Sequence, residues 1–382
     1  MKKQGCLLFL AVLLAVSLLA FGCTVVEAPE AEPPGAEAPE VEAPEVEAQE
    51  VVRLQHSHFY MPADPTTDYY DPQVWYMDEV EKRTEGRVVF DRLWGGSLTA
   101  PGESGAQLKA GLIDFTIISS LFVPGEMPLF EIDGASVFSP TDTRMVNLVK
   151  WQLYEEFPEL RAEIEQYNAV GLFVGGAGSY QIIANRPLAT LEDYKGLKVG
   201  VVGRFMPRWY SSIGAIPITM PFIERWGALQ TGILDASSLF PVYHLMYNFH
   251  EICKHHGMPN FGDQATGITV IRKEMWDKIS PRDQEIMRQI GMEAMEQYSV
   301  GYANQSNAEA IEALNAAGVT FYYYTDQQRT EWAQAIPNFG QEWVNEARNA
   351  EERNVRIRLW QRRWELMEEY GYEWPMDWWD VK

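Results

Sequence analysis

The chain has 382 residues and a formal net charge of −23, because 54 acidic residues outnumber 31 basic ones. A protein this acidic, with no basic stripe to neutralise phosphates, is excluded as a nucleic-acid binder. About 330 residues follow the N-terminal segments described next, which is enough for two globular lobes.

Residues 1–22 have the pattern of an export signal peptide. Two lysines come first, an apolar run extends from Leu7 to Ala20, and Gly22-Cys23 follows. The run is shorter than a membrane-spanning helix needs, so we predict a signal that is removed. A small residue before a cysteine is typical of bacterial lipoprotein signals, which makes Cys23 the predicted lipidation site. The alternative is an ordinary signal peptide cleaved near Gly22, with Cys23 incidental.

Residues 23–50 are predicted to be the lipidated cysteine and a disordered acidic tether. The segment consists mainly of Glu, Pro, Ala and Val, and it contains nine glutamates and no basic residue. Such a composition cannot bury enough apolar surface to fold, and charge repulsion and proline keep it extended. No later apolar run reaches the ~20 residues of a membrane-spanning helix. We therefore expect a folded domain outside the cytoplasmic membrane, held there through the lipid anchor only.

From residue 51 onward, strand and helix signals alternate. Predicted strands cover 51–55, 88–90, 113–118, 170–174, 198–202, 216–220, 233–236, 267–271 and 319–324. Predicted helices cover 71–84, 103–110, 141–157, 204–213, 222–230 and 280–317. Thr190 with Asp193 is expected to cap a short helical turn, Thr325 with Gln328 to form a capping box for a further helix, and Ser280-Pro281 to start the helix at 280. Alternating strand–helix units predict mostly parallel sheets, and this length predicts two of them.

The glycine-rich run Gly175–Ser179 raises the question of a cofactor loop. It lacks the Lys-Ser/Thr pair of a phosphate-binding loop and the full spacing of a dinucleotide motif. We interpret it as a crossover between lobes in which glycines absorb hinge rotation. No cofactor is therefore predicted, and no arrangement typical of a catalytic triad or a carboxylate pair has a recognisable context.

Three segments carry a resemblance to a known family. Residues 190–236 contain L-x-D-x-K-G-L-K-V, then G-A-x-P-x-x-M, then A-L-Q-T-G-x-x-D, and upstream lie EVEKRTEGRVVF and GGSLTAPGESGAQLKAGLIDFTI. In this order and spacing they resemble the solute receptors of TRAP (tripartite ATP-independent periplasmic) transporters, the DctP family. The likeness covers about residues 51–335.

The resemblance implies an α/β, two-lobed periplasmic-binding-protein-like (Venus-flytrap) fold with a long helix spanning both lobes. Lobe 1 would comprise 51–177 plus 265–305 and lobe 2 would comprise 178–264 plus 306–340. Residues 341–382 would form a C-terminal helix and an aromatic tail packing on the lobes. It also implies capture of a small organic solute, delivery to the small and large TRAP membrane subunits, and no enzymatic activity. The alternatives are a receptor for another transporter or a sensor and, more distantly, an extracytoplasmic enzyme.

The family's usual carboxylate clamp is an arginine on the strand after G-L-K-x, and here Gly200 stands in that place. A second basic position of the family falls near Tyr180. We therefore expect a roomier, less positive cleft at Gly200, and a ligand that is an organic acid by the family pattern but aromatic or neutral by this substitution. Arg204 or Arg208 would replace the clamp, unless Arg204 is simply a surface residue in the first turn of its helix.

Aromatic side chains on segments that meet at the cleft would sandwich a planar solute, and serines at strand ends would supply polar contacts. His58 lies on one strand face with His56, where lining the cleft and facing solvent are both open. The predicted ligand-binding residues are Ser57, His58, Ser119, Phe122, Tyr180, Arg204, Trp209, Phe222, Ser237 and Ser238.

A second cluster, His250, Cys253, His255 and His256, consists of residue types that bind zinc. Adjacent histidines point in different directions, and the cluster is expected at the end of a helix, where the dipole favours cations. We interpret it as structural, so no metal site is predicted.

Overall fold

A computed structural model describes residues 51–61, 71–176, 178–262, 267–376 and 381–382. The predicted signal peptide, Cys23 and the acidic tether lie outside these residues, as does the predicted return crossing near Gln264. No helix among the described residues is long and apolar enough to cross a membrane.

The strands of the described part are β1 (Val52–Ser57), β2 (Val88–Leu93), β3 (Phe115–Ile118), β4 (Ala169–Gly175), β5 (Gln181–Ala184), β6 (Lys198–Val201), β7 (Ile216–Thr219), β8 (Ala236–Leu239), β9 (His255–Met258), β10 (Gly267–Arg272) and β11 (Thr320–Tyr323). The helices are α1 (Pro72–Arg83), α2 (Ser104–Lys109), α3 (Ile132–Ala135), α4 (Thr143–Glu156), α5 (Pro158–Glu165), α6 (Met206–Ser212), α7 (Arg225–Gln230), α8 (Pro241–Met246), α9 (Lys273–Trp276), α10 (Pro281–Glu293), α11 (Ser299–Ala316), α12 (Asp326–Ala335), α13 (Phe339–Asn345) and α14 (Ala350–Glu369). Short 3-10 turns cover Leu191–Tyr194, Phe222–Glu224 and Phe249–Glu251, and a π turn covers Ala294–Tyr298.

The strands form two sheets. The first has the order β2-β1-β3-β10-β4, and the second has the order β11-β9-β5-β8-β6-β7. The expectation of mostly parallel sheets needs correction, because β10 runs antiparallel to both of its neighbours and so does β5. These two strands are the first that the chain forms after it passes from one sheet to the other. The expected lobe boundaries are compatible with the residues that form each sheet. The boundaries themselves stay a prediction.

Caps and breakers explain where several elements begin. Asp71 and Asp142 cap α1 and α4 by accepting backbone N–H bonds, and Ser280 caps α10 ahead of Pro281. The reciprocal capping boxes predicted at Thr190 and Thr325 are both present.

One long helical segment joins the two halves, as predicted. It runs through α10, the π turn and α11, from Pro281 to Ala316. Its first part packs on α1 and β4 of the first sheet, whereas α11 packs on α8, which follows the second sheet's β8. The π turn was not predicted, because its residues keep ordinary helical spacing.

The C-terminal helix α14 packs on α4 and α13. Its predicted apolar face is buried, since Trp360, Trp364 and Met367 are almost inaccessible to solvent. This face is therefore part of the core and not a separate binding surface, whereas Trp378 and Trp379 lie outside the described residues.

The histidine cluster lies mainly on a strand and not at a helix end as expected, because His255 and His256 belong to β9. His244 Nε2 lies 3.0 Å from the carbonyl oxygen of Cys253, and its Nδ1 lies 3.0 Å from Nδ1 of His256. A carbonyl only accepts, so His244 carries its proton on Nε2 and accepts from His256 Nδ1. Burial lowers the pKa of both histidines, so both rings are neutral at neutral pH. Within the described residues, no three His, Cys, Asp or Glu side chains are placed to hold a metal ion.

This pair makes stability depend on pH. Burial lowers the pKa of His244 to about 4, and burial with His244 nearby lowers the pKa of His256 well below its usual value. As pH falls below about 6.5, the unfolded chain binds protons that the folded chain does not bind, so stability is lost. His256→Gln should reduce the fall in unfolding free energy between about pH 6.5 and pH 5 by roughly 2 kcal/mol, measured by urea denaturation.

His255→Gln is the matched control, because His255 neighbours His256 on the same strand but is only half-buried. It should keep most of the wild-type pH dependence. Identical pH dependence in wild type and His256→Gln would contradict the assignment of a neutral buried pair.

Candidate functional site

A cavity of about 110 Å³ is lined by residues of both sheets. From the first sheet come residues of β3, β4 and β10 and the segment after β1, and from the second come the residues flanking β5 and β8. The lining residues are His58, Tyr60, Asp71, Pro72, Gln73, Ile117, Leu121, Phe122, Phe173, Gly175, Gly176, Tyr180, Phe240, Tyr243, Thr269 and Tyr302. Binding sites in open α/β folds lie in this position, at the ends of strands where the chain changes direction.

Aromatic rings form much of the cavity wall. The rings of Tyr180 and Phe240 lie 4.4 Å apart, Tyr243 lies 5.5 Å from Phe240, and Tyr60 lies 5.9 Å from Tyr243. Phe122, which also lines the cavity, makes an edge-on contact with Phe59 at 4.9 Å between ring centres. Rings arranged in this way offer flat apolar contact to a planar solute.

His58 supplies a hydrogen-bond donor to the cavity. The backbone N–H of Tyr60 donates to its Nδ1 at 3.1 Å. Burial lowers the pKa of His58 to about 4, so the ring is neutral at neutral pH. Because Nδ1 accepts, the remaining proton sits on Nε2, which is able to donate to a bound group.

The start of α1 adds a carboxylate and an amide. Asp71 Oδ1 accepts from the backbone N–H of Gln73 at 2.8 Å and of Val74 at 3.4 Å. Gln73 Nε2 donates to Thr269 Oγ1 at 3.4 Å, which links α1 to β10. Burial raises the pKa of Asp71 to about 6. The carboxylate is therefore still ionised at neutral pH.

Arg225 on α7 occupies the space expected to be empty at Gly200. A side-chain carbon added at Gly200 would lie 2.8 Å from Leu234 and 3.2 Å from Arg225 Cδ. The expectation of a roomier cleft at Gly200 is therefore wrong, because Arg225 fills that space. The expectation of a less positive cleft stays a prediction, because Arg225 does not line the cavity. The glycine makes room for an arginine that reaches over β6 from a helix.

The Arg225 guanidinium is almost completely buried, with 2% of the residue exposed. Its Nε and Nη2 donate to the carbonyl of Met220 at 3.2 and 3.1 Å. Its Nη1 donates to Ser237 Oγ at 3.2 Å and to the carbonyl of Ser238 at 3.1 Å. No carboxylate among the described residues forms an ion pair with it, and burial lowers its pKa.

Arg225 is not one of the residues that line the cavity. Arg225 interacts electrostatically with Tyr180, Tyr60 and Tyr210, and the first two of these line the cavity. Asp71, by contrast, interacts with Tyr243 and Tyr302. The negative charge of Asp71 therefore lies at the cavity itself, whereas the positive charge of Arg225 is held on β8 of the second sheet.

The structure brings some of the predicted ligand-binding residues to this cavity. His58, Phe122 and Tyr180 line it. Phe222, Ser237 and Ser238 lie behind the wall: Phe222 packs on Tyr60 and Tyr243, and the two serines contact Arg225. Ser57, Ser119, Arg204 and Trp209 lie elsewhere.

Each of these four has a structural partner. Ser57 Oγ accepts from Thr99 at 2.8 Å, and Ser119 Oγ accepts from the backbone N–H of Leu121 at 3.4 Å. Trp209 is 1% exposed and donates to the carbonyl of Gly134 at 3.1 Å, so it is part of the core.

Arg204 does not reach the cavity because two glutamates hold it elsewhere. Its guanidinium pairs with Glu131 at 2.8 Å and with Glu346 at 2.6 Å. Arg208 pairs with Glu346 at 2.7 Å and Glu342 at 3.2 Å. Neither arginine is therefore available as a replacement clamp.

Several cavity residues were not predicted from the sequence. Asp71, Gln73, Thr269 and Tyr302 belong to segments that were interpreted only as helices or strands, and Tyr60 lies in no predicted element. Asp71 could have been found from the sequence, because it starts the helix that follows the first strand. Such a helix begins near the carboxyl end of the strand, where open α/β folds bind their ligands. Tyr302 lies in the first turn of α11, which follows the π turn Ala294–Tyr298, a feature that is frequent near functional sites.

A larger groove of about 370 Å³ lies between α5 and the start of α14. Five glutamates line it together with Arg348, and no residue of the second sheet contributes. The smaller cavity is the better candidate because both sheets form it and its rings and polar groups converge.

Fold and cavity together define a two-lobed solute-binding protein. The chain belongs to the DctP family, described as bacterial extracellular solute-binding protein family 7, whose profile matches residues 61–346. The predicted family and fold class are therefore confirmed. This is a family of extracytoplasmic receptors of TRAP transport and not of enzymes.

Known relatives are distant in sequence. The C4-dicarboxylate-binding periplasmic protein DctP of Rhodobacter capsulatus is 28% identical over 179 residues, which is 46% of this chain and 53% of that protein. A TRAP solute-binding protein of Rhodoferax ferrireducens, solved with copurified benzoate, aligns with a TM-score of 0.73 at 19% identity and covers 84% of this chain and 99% of its own. A TRAP solute-binding protein of Desulfovibrio salexigens with bound orotic acid gives 0.68 at 20% identity, covering 84% and 99%.

Proposed function

We propose that this protein captures a small organic acid built on a single ring in the cavity between its two sheets, and delivers it to the small and large membrane subunits of a TRAP transporter. The observation that carries the proposal is an aromatic cavity, formed by both sheets, beside a buried arginine that has no acidic partner among the described residues.

Size supports a solute of one ring. A cavity of roughly 150 Å³ holds a benzene molecule in a protein core, and this one measures about 110 Å³, so one ring is the largest solute that a modest opening of the lobes would admit. Sugar acids of nine carbons would not fit without further opening. The benzoate and orotate held by the two structural relatives are planar acids of the proposed size class.

Charge supports an acid. A guanidinium in a low-dielectric interior is costly when only carbonyl and hydroxyl groups surround it. An anion bound on the other side of Tyr60 and Tyr180 would lower that cost. The N–H groups of Arg225 donate to protein acceptors, except for one on Nη2 that has no partner among the described residues. Arg225 therefore acts on the solute through its charge and does not form a bidentate hydrogen bond with it.

The tether is also part of the proposal. The lipidated Cys23 would anchor the receptor outside the cytoplasmic membrane, and the acidic segment 24–50 would hold the folded part away from the lipid surface. A receptor held near its permease meets it at a higher effective concentration than a freely diffusing one.

Arg225→Gln tests the charge directly. It should weaken benzoate binding at least about tenfold, measured by calorimetry, because the anion loses its nearest buried cation. The affinity for benzamide, which has the same shape without charge, should change much less. Arg204→Ala, which removes an arginine held outside the cavity, should leave benzoate affinity within about twofold. An equal loss for benzoate and benzamide in Arg225→Gln would contradict the electrostatic role.

Solute binding should also close the two lobes by rotation about Gly175–Ser179 and the return crossing near Gln264. A closed form has a smaller radius of gyration than an open one. Small-angle scattering should therefore show a decrease when a solute whose binding has been verified by calorimetry is added to saturation. Curves that superpose with and without that solute would rule out hinge closure.

The anchor is tested in a cell fractionation. Wild type should be found with the membranes, and Cys23→Ser should move to the soluble fraction, because the variant has no thiol to acylate. Mass spectrometry of the wild-type N-terminus should find the lipid. An unmodified, already soluble wild type would show that Cys23 is incidental.

A further inference from the structure

We infer that the solute carries, besides its acidic group, a cationic or N–H donor group that binds Oδ2 of Asp71. The inference rests on the proposed function and specifies the chemical class of its solute. It follows from how the carboxylate of Asp71 is held in the cavity.

The two oxygens of Asp71 have different surroundings. Oδ1 caps α1 by accepting two backbone N–H groups. Oδ2 has no hydrogen-bond partner among the described residues, and Asp71 lines the cavity. An ionised carboxylate only accepts hydrogen bonds. A solute group at Oδ2 must therefore be a donor.

Within the described part of the chain, no cation pairs with this carboxylate. None of the ion pairs among the described residues includes Asp71. The charged form is disfavoured by burial, and the two cap bonds offset this only in part, which leaves its pKa at about 6. A charged donor from the solute would supply the stabilisation that the fold leaves out.

Asp71 and Arg225 are held by different sheets. Asp71 lies at the start of α1, which Gln73 links to β10 of the first sheet, whereas Arg225 is bound to Ser237 and Ser238 on β8 of the second sheet. A ring with a donor at one end and a carboxylate at the other matches this arrangement. A plain aromatic acid satisfies only the arginine.

The test uses pairs of probes that differ only in the donor. The first members are 3- and 4-(aminomethyl)benzoate, and the second are 3- and 4-ethylbenzoate, which replace the ammonium by a methyl group. Calorimetry on the full mature chain should show that, for at least one of the two isomers, the aminomethyl compound binds at least about tenfold more tightly. In Asp71→Asn this preference should disappear or reverse.

Asp71→Asn keeps the helix cap, because asparagine caps as well as aspartate. Asp142→Asn is the matched control: Asp142 caps α4 by the same two bonds, at 2.9 and 3.2 Å, but lies outside the cavity. It should leave the preference for the aminomethyl compound unchanged. The thermal stabilities of both variants verify that each is folded.

Three results would overturn the inference, and they separate it from the proposed function. If benzoate binds but wild type prefers the ethyl compound in both isomers, the inference fails and the receptor function stands. The inference also fails, and the receptor function also stands, if Asp71→Asn keeps the preference for the aminomethyl compound. If no ring acid binds and no solute is released on denaturing protein purified from its host, the proposed function fails together with the inference.

Discussion

The passage of the chain between the two sheets is the constraint on which the rest of the structure depends. The chain leaves the first sheet at Gly175, builds the second from β5 onward, and re-enters the first as β10. Both entering strands are antiparallel to their neighbours. The residues beside the crossings, Gly176, Tyr180 and Thr269, therefore become part of the cavity wall. A solute held there touches both halves, so its binding free energy favours the arrangement in which they are close.

The arginine nearest the place of the expected clamp comes from a different part of the sequence than the family pattern predicts. The arginine expected on strand β6 is absent, and Gly200 stands in its place. An arginine from α7 enters the volume that the missing side chain would leave, and its charge lies beside Tyr60 and Tyr180. Carbonyl groups satisfy most of its donors, which keeps the guanidinium fixed in the wall. The buried positive charge at this place in the fold thus comes from α7 and not from strand β6.

Local signals predicted much of the fold, because caps and breakers act within a few residues. The capping boxes at Thr190 and Thr325 and the Ser280-Pro281 helix start needed no tertiary information. Short strands were harder to predict from the sequence. Both β5 and β9 are four residues long and fully or mostly buried, so they lack the alternation that marks a half-buried strand. The strand expected at 233–236 begins instead at Ala236.

The site was less predictable, because its chemistry depends on contacts between distant parts of the chain. Arg204 was a reasonable candidate from its place after a strand, but Glu131 and Glu346 hold it, and they lie far away in sequence. Trp209 and Arg225 lie in equally aromatic segments, yet one is core and the other adjoins the cavity. His58, Phe122 and Tyr180 were found because they follow the ends of strands or the hinge, where the direction of the chain alone brings residues to the cleft.

The most direct test is a crystal structure of the protein with the solute that it carries from its own host. Our account predicts electron density for one small ring in the cavity, in contact with Tyr180 and Phe122, with an acidic group toward Tyr60 and a donor at Asp71 Oδ2. Density in the groove between α5 and α14, beside Glu163 and Arg348, with an empty cavity between the sheets, would contradict it.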